Sequence, residues 1–218
     1  MDAVNIIALS MGAAWASGIN LYATLFMLGY MGVTGNIALP AELEILTNPM
    51  VMTAAGFMYC VEFFADKIPG VDSGWDSIHT FIRIPAGAML ASSAVGDVTP
   101  AIVLTSAILG GALAAGSHTT KAGTRLLINT SPEPVTNWTA SISEDLLVIG
   151  GLWAALNHPV LFIIGLIAFI AVMIWLLPRL WRLIKRLFRQ IGSWLKLCEP
   201  PADDVPLHQD SESKPSGS

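Results

Sequence analysis

Residues 61–87, VEFFADKIPGVDSGWDSIHTFIRIPAG, concentrate charge in a chain that is otherwise apolar. The chemistry-bearing positions of this stretch are Glu62, Asp66, Lys67, Asp72, Asp76, His79 and Arg83. Glu62 and Asp66 are one helical turn apart, and the later positions recur at steps of four, three and four. Steps of three and four put side chains on one face of a helix. Carboxylates on such a face could carry a proton or a cation, and an arginine could bind an anion.

A second polar stripe follows in the other half of the chain, at His118, Lys121, Arg125 and Asn129, again at steps of three and four. Glu144 and Asp145, at the start of the next apolar segment, are natural partners for these bases. An ionisable group inside a membrane costs at least about 2.5 kcal/mol and persists where it pairs or lines a pathway. We therefore predict that the two stripes meet inside the protein. The alternative is that they are solvated helix ends at the membrane surface.

The composition is that of an integral membrane protein. The chain has 218 residues, of which 54% are hydrophobic and 12% charged, and its mean hydropathy is +0.63. A soluble domain of this size is rarely so apolar. We predict an all-α polytopic membrane protein with about six membrane elements and a C-terminal amphipathic helix. The chain has two cysteines, which offer no metal-ligand spacing, and no compact metal motif is present, so we expect no metal site and no cofactor.

Residues 3–41 contain no charged side chain, and one helix of that length would be about 58 Å long, against a hydrocarbon core of about 30 Å. We expect a break at residues 17–20, SGIN, with Asn20 at the site, and two halves that form discontinuous or re-entrant helices. Residues 98–129 suggest a second interrupted element, with a break near His118. The segment TSPEPVTNWTAS, residues 130–141, predicts a loop.

Three further apolar runs predict membrane helices, namely residues 49–65, 77–96 and 146–178, the last divided at the Asn-His-Pro of 157–159. Residues 77–91 and 141–155 align weakly and suggest an internal, inverted repeat. Repeats with broken helices are typical of transporters.

Three regions are predicted along the chain: a membrane domain at residues 1–178, a basic interfacial helix at 179–197 and a disordered tail at 198–218. The basic helix carries Arg179, Arg182, Lys185, Arg186 and Arg189. These cations favour contact with anionic lipid, and by the positive-inside rule they predict a cytoplasmic C-terminus. They do not suggest nucleic-acid binding.

Four segments resemble one known family: ASGINLYATLFMLG, EFFADKIPGVDSGWDSIHTFIRIPAGA, KAGTRLLINTSPEPVTNWTASISEDLLVIGGLWAALNHP and WLLPRLWRL. Over about residues 3–185 the chain is similar to the bacterial integral-membrane family catalogued as domain of unknown function four-one-two-six. The resemblance implies a bacterial inner-membrane location but no activity. In architecture, though not in motif, the chain also resembles the DedA-type lipid transporters, which combine re-entrant helices with buried acids and arginines.

Three functional hypotheses follow. The first is a small bacterial transporter or flippase-like protein with a buried charged site for an anionic or phosphate-bearing substrate, such as a lipid headgroup. The second is a cation or proton channel that uses the acids, and the third is a membrane scaffold without transport. An enzyme acting on lipid phosphates stays a fourth alternative, although the chain lacks a nucleophile signature and we expect no catalytic residues. A homo-oligomer is compatible with the sequence.

Overall fold

The structure is a computed structural model and describes residues 2–68, 70–130 and 134–194. Its helices are α1 (Ala3–Ile19), α2 (Leu21–Val33), a 3₁₀ helix (Ala41–Thr47), α3 (Pro49–Ala65), α4 (Val71–Ala94), α5 (Pro100–Ile128), α6 (Pro134–Asn157) and α7 (Pro159–Trp194). Because the described residues contain no strand, the all-α prediction is confirmed for them. The predicted tail, 198–218, lies outside the described residues.

The chain divides into two compact units, Met1–Ile184 and Lys185–Ser218. The first unit contains α1 to α6 and most of α7. Of the second unit the structure describes only residues 185–194, the last turns of α7. Helix α7 continues through Pro178, which lies inside it.

Three helices are long and apolar enough to cross a membrane: Pro100–Ile128, Val135–Asn157 and Pro159–Arg186. The first has 29 residues and is therefore about 43 Å long, which exceeds the hydrocarbon core of about 30 Å. Helices α1, α2 and α3 are apolar as well but shorter. The chain thus has the helices of a membrane protein.

The predicted break in the first apolar run is confirmed at Asn20. This residue has an extended backbone, with φ −145° and ψ 100°, and it ends α1 and begins α2. Its Oδ1 accepts a hydrogen bond from the N–H of Ala23 at 2.9 Å. In an uninterrupted helix that N–H would bond to the carbonyl of Ile19, four residues earlier. The break therefore leaves the Ile19 carbonyl available to another partner.

The predicted second break, near His118, is wrong, because α5 runs without interruption from Pro100 to Ile128. Its polar residues are compatible with a helix for two reasons. The hydroxyls of Thr119, Thr120 and Thr124 each bond to a carbonyl four residues earlier in α5. The charged side chains of the same segment find partners on neighbouring helices, so the polarity reflects tertiary contacts rather than a loop.

The predicted loop at residues 130–141 is wrong for most of its length, because α6 begins at Pro134. Proline suits the first position of a helix, where the missing N–H is not needed. Asn137 and Ser141 then lie on the buried face of this helix. Asn137 and Ser141, which suggested a loop, instead make polar contacts within the protein.

Small residues bring α1, α4 and α5 close together. A Cβ added at Gly18 would overlap Ala114 of α5, and one added at Gly87 of α4 would overlap the same alanine. Gly110 of α5 meets Ala91 of α4 in the same way. Small residues at the contact allow helix backbones to approach each other closely in membranes. This close approach directs the polar faces of α4 and α5 toward each other beside the end of α1.

Candidate functional site: a buried ion-pair network

Seven charged side chains from α3, the turn after it, α4, α5 and α6 form one connected network, here called the charged core. Its members are Glu62, Asp66, Asp76, Arg83, Lys121, Arg125 and Glu144. Arg83, Arg125 and Glu62 have side chains that are 0% exposed, and Glu144 is the most exposed, at 16%. The network is therefore inside the protein, where charges must be paired to persist.

Lys121 lies at the centre of the charged core. Its Nζ donates to Asp66 Oδ2 at 2.7 Å and to the free carbonyl of Ile19 at 3.2 Å. The same ammonium lies 3.5–3.6 Å from carboxylate oxygens of Glu62, Asp76 and Glu144. One lysine of α5 thus contacts all four acids of the charged core and the break between α1 and α2.

The two arginines bind different acids of the charged core. Arg125 binds Glu144 with two nitrogens, at 3.1 and 2.7 Å, in the geometry that makes arginine–carboxylate pairs strong. Arg83 faces two carboxylates instead. Its Nη2 donates to Glu62 Oε1 at 2.5 Å and its Nη1 to Asp76 Oδ1 at 3.0 Å.

An amide chain extends the charged core to Asp72. Arg125 Nη1 donates to Asn137 Oδ1 at 3.3 Å, and Asn137 Nδ2 donates to Asn129 Oδ1 at 3.0 Å. Asn129 Nδ2 in turn donates to both oxygens of Asp72, at 2.8 and 3.0 Å. Asp72 is therefore linked to the ion pairs through two neutral side chains.

Two further charged residues lie beside the helix break and the turn after α3. Asn20 Nδ2 donates to Asp145 Oδ1 at 3.0 Å, which ties the break to α6. Lys67 donates to the Phe63 carbonyl at 3.0 Å and to Ser141 Oγ at 3.3 Å. Burial lowers the pKa of Lys67 from its ordinary value, although nearby Asp145 and Asp66 oppose that shift. Within the described part of the chain, Lys67 is thus held by neutral acceptors and makes no direct ion pair.

The hydrogen-bond partners fix the neutral form of His118. Its Nδ1 lies 3.2 Å from Arg83 Nη1, which can only donate, so this nitrogen accepts. Its Nε2–H then donates to Thr80 Oγ1 at 2.7 Å. In His79, Nδ1 lies 2.9 Å from the Trp75 carbonyl and must donate, whereas Nε2 lies 3.1 Å from the Tyr22 hydroxyl, which can donate or accept.

The charged core has more acceptor capacity than the protein fills. It contains four acids and three bases. Among the described residues, no donor reaches Glu62 Oε2, Asp66 Oδ1 or Asp76 Oδ2, although all three oxygens are buried. Among the described residues of the core, Arg83 Nε is the one buried side-chain nitrogen without a hydrogen-bond partner. The described residues include no cluster of three His, Cys, Asp or Glu side chains that could hold a metal ion.

The structure thus brings the two polar stripes of the sequence together, and their role in transport stays a prediction. Each of the residues proposed from sequence for the pathway is buried or half-buried: Asn20, Glu62, Asp66, Lys67, Asp72, Asp76, His79, Arg83, His118, Lys121, Arg125, Asn129, Glu144 and Asp145. The membrane-surface residues Arg179, Arg182, Lys185, Arg186 and Arg189 are exposed.

Sequence reasoning missed Asn137, Ser141, Tyr22 and Thr80. Asn137 and Ser141 were assigned to a loop, yet with Asp145 they recur at steps of four, which is the spacing of a helix face. Thr80 had the same signal, because it lies four residues after Asp76 and three before Arg83. Tyr22 had none, because it contacts the site as a single polar group in an apolar segment.

Three of the apolar helices are long enough to cross a bilayer, and the protein contains a buried charge network. These are the features of an integral membrane protein. Residues 7–179 match the family model described as Domain of unknown function (DUF4126), and the chain belongs to that family. The resemblance drawn from the sequence motifs is confirmed. No curated protein matches the chain. No solved structure matches it either.

Proposed function

We propose that the protein is a small membrane transporter or channel that moves a cation, the proton included, through the charged core. The observation that carries this proposal is the excess of acceptors: four acids face three bases, and three buried carboxylate oxygens lack a donor from the described protein. Unfilled acceptors attract positive charge. Buried carboxylates in membrane helices typically mark ion or proton pathways.

The same geometry is less favourable to the anionic or phosphate-bearing substrate that the sequence suggested. Arg83, Lys121 and Arg125 each have at least one carboxylate within 3.0 Å. An anion would have to displace these partners. Among the described residues of the core, Arg83 Nε is the one buried side-chain nitrogen without a hydrogen-bond partner. Of the three hypotheses, transport of a cation therefore has the best support.

The helix break supports an ion site at this position. In transporters, interrupted helices supply free backbone groups where ions bind, because non-helical backbone at membrane depth is tolerated only inside the protein. The Ile19 carbonyl is such a group, and Lys121 binds it. A re-entrant arrangement of α1 and α2 fits this interpretation, and the inverted repeat between residues 77–91 and 141–155 stays a prediction.

Proteoliposomes with an internal pH dye, under imposed proton, sodium or potassium gradients, test the proposal. We expect cation-dependent flux in the wild-type protein and loss of flux in Asp66→Asn and Asp76→Asn. Glu42→Gln, on the exposed face of the 3₁₀ helix, is the matched control and keeps wild-type flux.

Two outcomes would contradict cation transport. Flux of phosphate-bearing lipid or small anions that disappears in Arg125→Gln would favour the anion hypothesis. If the folded protein moves no ion or lipid, while deletion of residues 179–218 removes its cellular phenotype, the scaffold hypothesis is favoured.

We also propose a bacterial inner-membrane location with a cytoplasmic C-terminus. The exposed cations of α7 support this orientation through the positive-inside rule. Fusion of a cytoplasm-dependent fluorescent reporter to the C-terminus tests it, and a dark fusion of normal expression would overturn it. Size measurement of the detergent-solubilised protein tests for a homo-oligomer.

A further inference from the structure

The excess negative charge of the charged core is not spread evenly. Arg125 is matched by Glu144 through two hydrogen bonds, and Lys121 has its shortest contact, 2.7 Å, with Asp66. Among the described residues, the remaining base, Arg83, is the cation that hydrogen-bonds to the other two carboxylates, from which Lys121 Nζ lies 3.5 and 3.6 Å away. Local pairing thus assigns the unmatched acid to the end of the network around Arg83.

Both carboxylates at that end have one oxygen that receives no donor. Glu62 Oε1 and Asp76 Oδ1 bind Arg83, whereas Glu62 Oε2 and Asp76 Oδ2 are buried and unpartnered among the described residues. The two residues are 0% and 1% exposed. An unpaired buried charge costs several kcal/mol, and a buried acid avoids that cost by binding a proton.

We propose that Glu62 and Asp76, bridged by Arg83, form a proton-binding pair that holds one proton between them at neutral pH. A proton is the cation that fits, because it needs no coordination shell and no described cluster suits a metal ion. The idea that this proton is the transported or coupling ion rests on the proposed function. Proton binding by the pair does not depend on transport.

The charged and titratable groups that face the pair come from every helix around it. They are Tyr22 of α2, Tyr59 of α3, Asp66 after α3, His79 and Arg83 of α4, and His118 and Lys121 of α5, while Glu144 of α6 contacts the same Lys121. His118 is neutral in the observed hydrogen-bond arrangement. The ion pairs of the charged core comprise four acids and three bases.

Proton release would change the contacts of Arg83. With one acid protonated, the guanidinium balances the charge of the other carboxylate and donates a hydrogen bond to the protonated acid. With both acids ionised, the pair gains a net negative charge, and Lys121 Nζ, 3.5 and 3.6 Å away, is the nearest additional cation. Because Lys121 also binds the Ile19 carbonyl, one residue contacts both the proton-binding pair and the helix break.

Infrared spectroscopy of the full chain in lipid nanodiscs tests the proposal, because a protonated carboxyl has a C=O stretch well separated from that of a carboxylate. We expect a protonated-carboxyl band at neutral pH that shifts in D₂O and shrinks as pH rises. The band should be lost in Glu62→Gln and in Asp76→Asn, since either amide removes the excess acid while keeping the shape.

Glu42→Gln is the matched control, because it removes an exposed acid outside the charged core, so the band should persist. Loss of the band in Glu42→Gln as well, or its persistence in both Glu62→Gln and Asp76→Asn, would overturn the assignment to Glu62 and Asp76. Its absence from the wild-type protein at neutral pH would overturn proton binding. The wild-type titration needs no variant to fold. A band without any ion flux would instead refute the proposed function and leave the proton site standing.

Discussion

Lys121 Nζ lies 3.2 Å from the carbonyl oxygen of Ile19, so a lysine in the C-terminal part of α5 binds the last residue of α1 across 102 positions of sequence. The contact exists because Asn20 Oδ1 takes the N–H of Ala23 that would otherwise bond to that carbonyl. The helix break and the charged core are therefore one structural unit, and a change in either should be felt in the other.

Replacement of Lys121 by methionine should strongly destabilise the protein. The variant keeps the length of the side chain but leaves Asp66 without its closest cation and Ile19 without a donor. Removal of one partner from a buried ion pair costs about 3–5 kcal/mol. Thermal unfolding in detergent measures the effect. Arg182→Gln, which removes an exposed cation from α7, is the control and should unfold like wild type; equal unfolding of the two variants would contradict the central role of Lys121.

Asn20→Ala should cost more than the same change at another helix N-cap. Asn20 caps α2 and also donates to Asp145, whereas the exposed Asn48 only caps α3, through the N–H of Met50 at 2.9 Å. Loss of an N-cap alone costs about 0.5–2 kcal/mol. Asn20→Ala adds the cost of a buried carboxylate that has lost a donor. A comparison of the free energies of unfolding of Asn20→Ala and Asn48→Ala checks this, and equal losses would mean that the Asp145 contact contributes nothing.

The sequence predicted the parts of the fold that depend on local pattern. Runs of apolar residues and the Asn-His-Pro at 157–159 were sufficient to predict α3 and the separation of α6 from α7. The break at Asn20 could be predicted because an uncharged run of such length cannot cross a bilayer as one straight helix. Steps of three and four likewise predicted which charges share a face.

The sequence could not predict features that depend on contacts between helices. A polar segment such as 118–129 has the same composition whether it interrupts a helix or faces another polar helix, and only the partners on α3, α4 and α6 distinguish these cases. The sequence also could not predict which acid binds which base. Nothing in the spacing indicates that Arg125 binds Glu144 with two nitrogens or that Arg83 binds two acids, although the proposed proton site rests on that difference.

Gly87→Ala and Gly110→Ala should weaken the contact between α4 and α5. A Cβ at either position would overlap an alanine of the other neighbouring helix, so the backbones must separate. Overpacking of this kind typically costs about 1–3 kcal/mol. Gly150→Ala is the matched control, because no atom lies within 4 Å of the added Cβ, and it should be neutral or slightly stabilising through higher helix propensity. Thermal unfolding checks all three variants, and a neutral Gly110→Ala would show that the helices are less close than described.

Arg125 and Glu144 should be strongly coupled in a double-mutant cycle. Arg125→Gln and Glu144→Gln each remove the hydrogen-bonded ion-pair partner of a buried group, but the double variant replaces both charges with amides. The double variant should therefore be more stable than the sum of the single effects by about 0.5–3 kcal/mol. Unfolding free energies give the coupling. A parallel cycle of Arg125→Gln with Glu44→Gln, an exposed acid of the 3₁₀ helix, should be additive within about 0.5 kcal/mol; equal coupling in both cycles would refute a specific pair.

The exposed cations of α7 should bind anionic lipid. They are Arg179, Arg182, Lys185, Arg186 and Arg189. Each cation near an anionic membrane surface contributes about 1 kcal/mol of attraction. Native mass spectrometry with added phosphatidylglycerol or phosphatidylcholine measures the lipid retained. We expect preference for phosphatidylglycerol, and loss of that preference when all five residues are changed to glutamine.

The matched variant for this last experiment changes the four arginines to lysine, so that α7 keeps its charge but loses planar guanidinium groups. Headgroup attraction that depends on charge should survive in it and should weaken as salt rises, because exposed charges are screened. Loss of the preference in the lysine variant would point to geometry instead, such as the guanidinium of Arg179, which stacks 3.3 Å above the ring of Trp175. Equal retention of both lipids by wild-type protein would mean that these cations serve a partner other than the membrane.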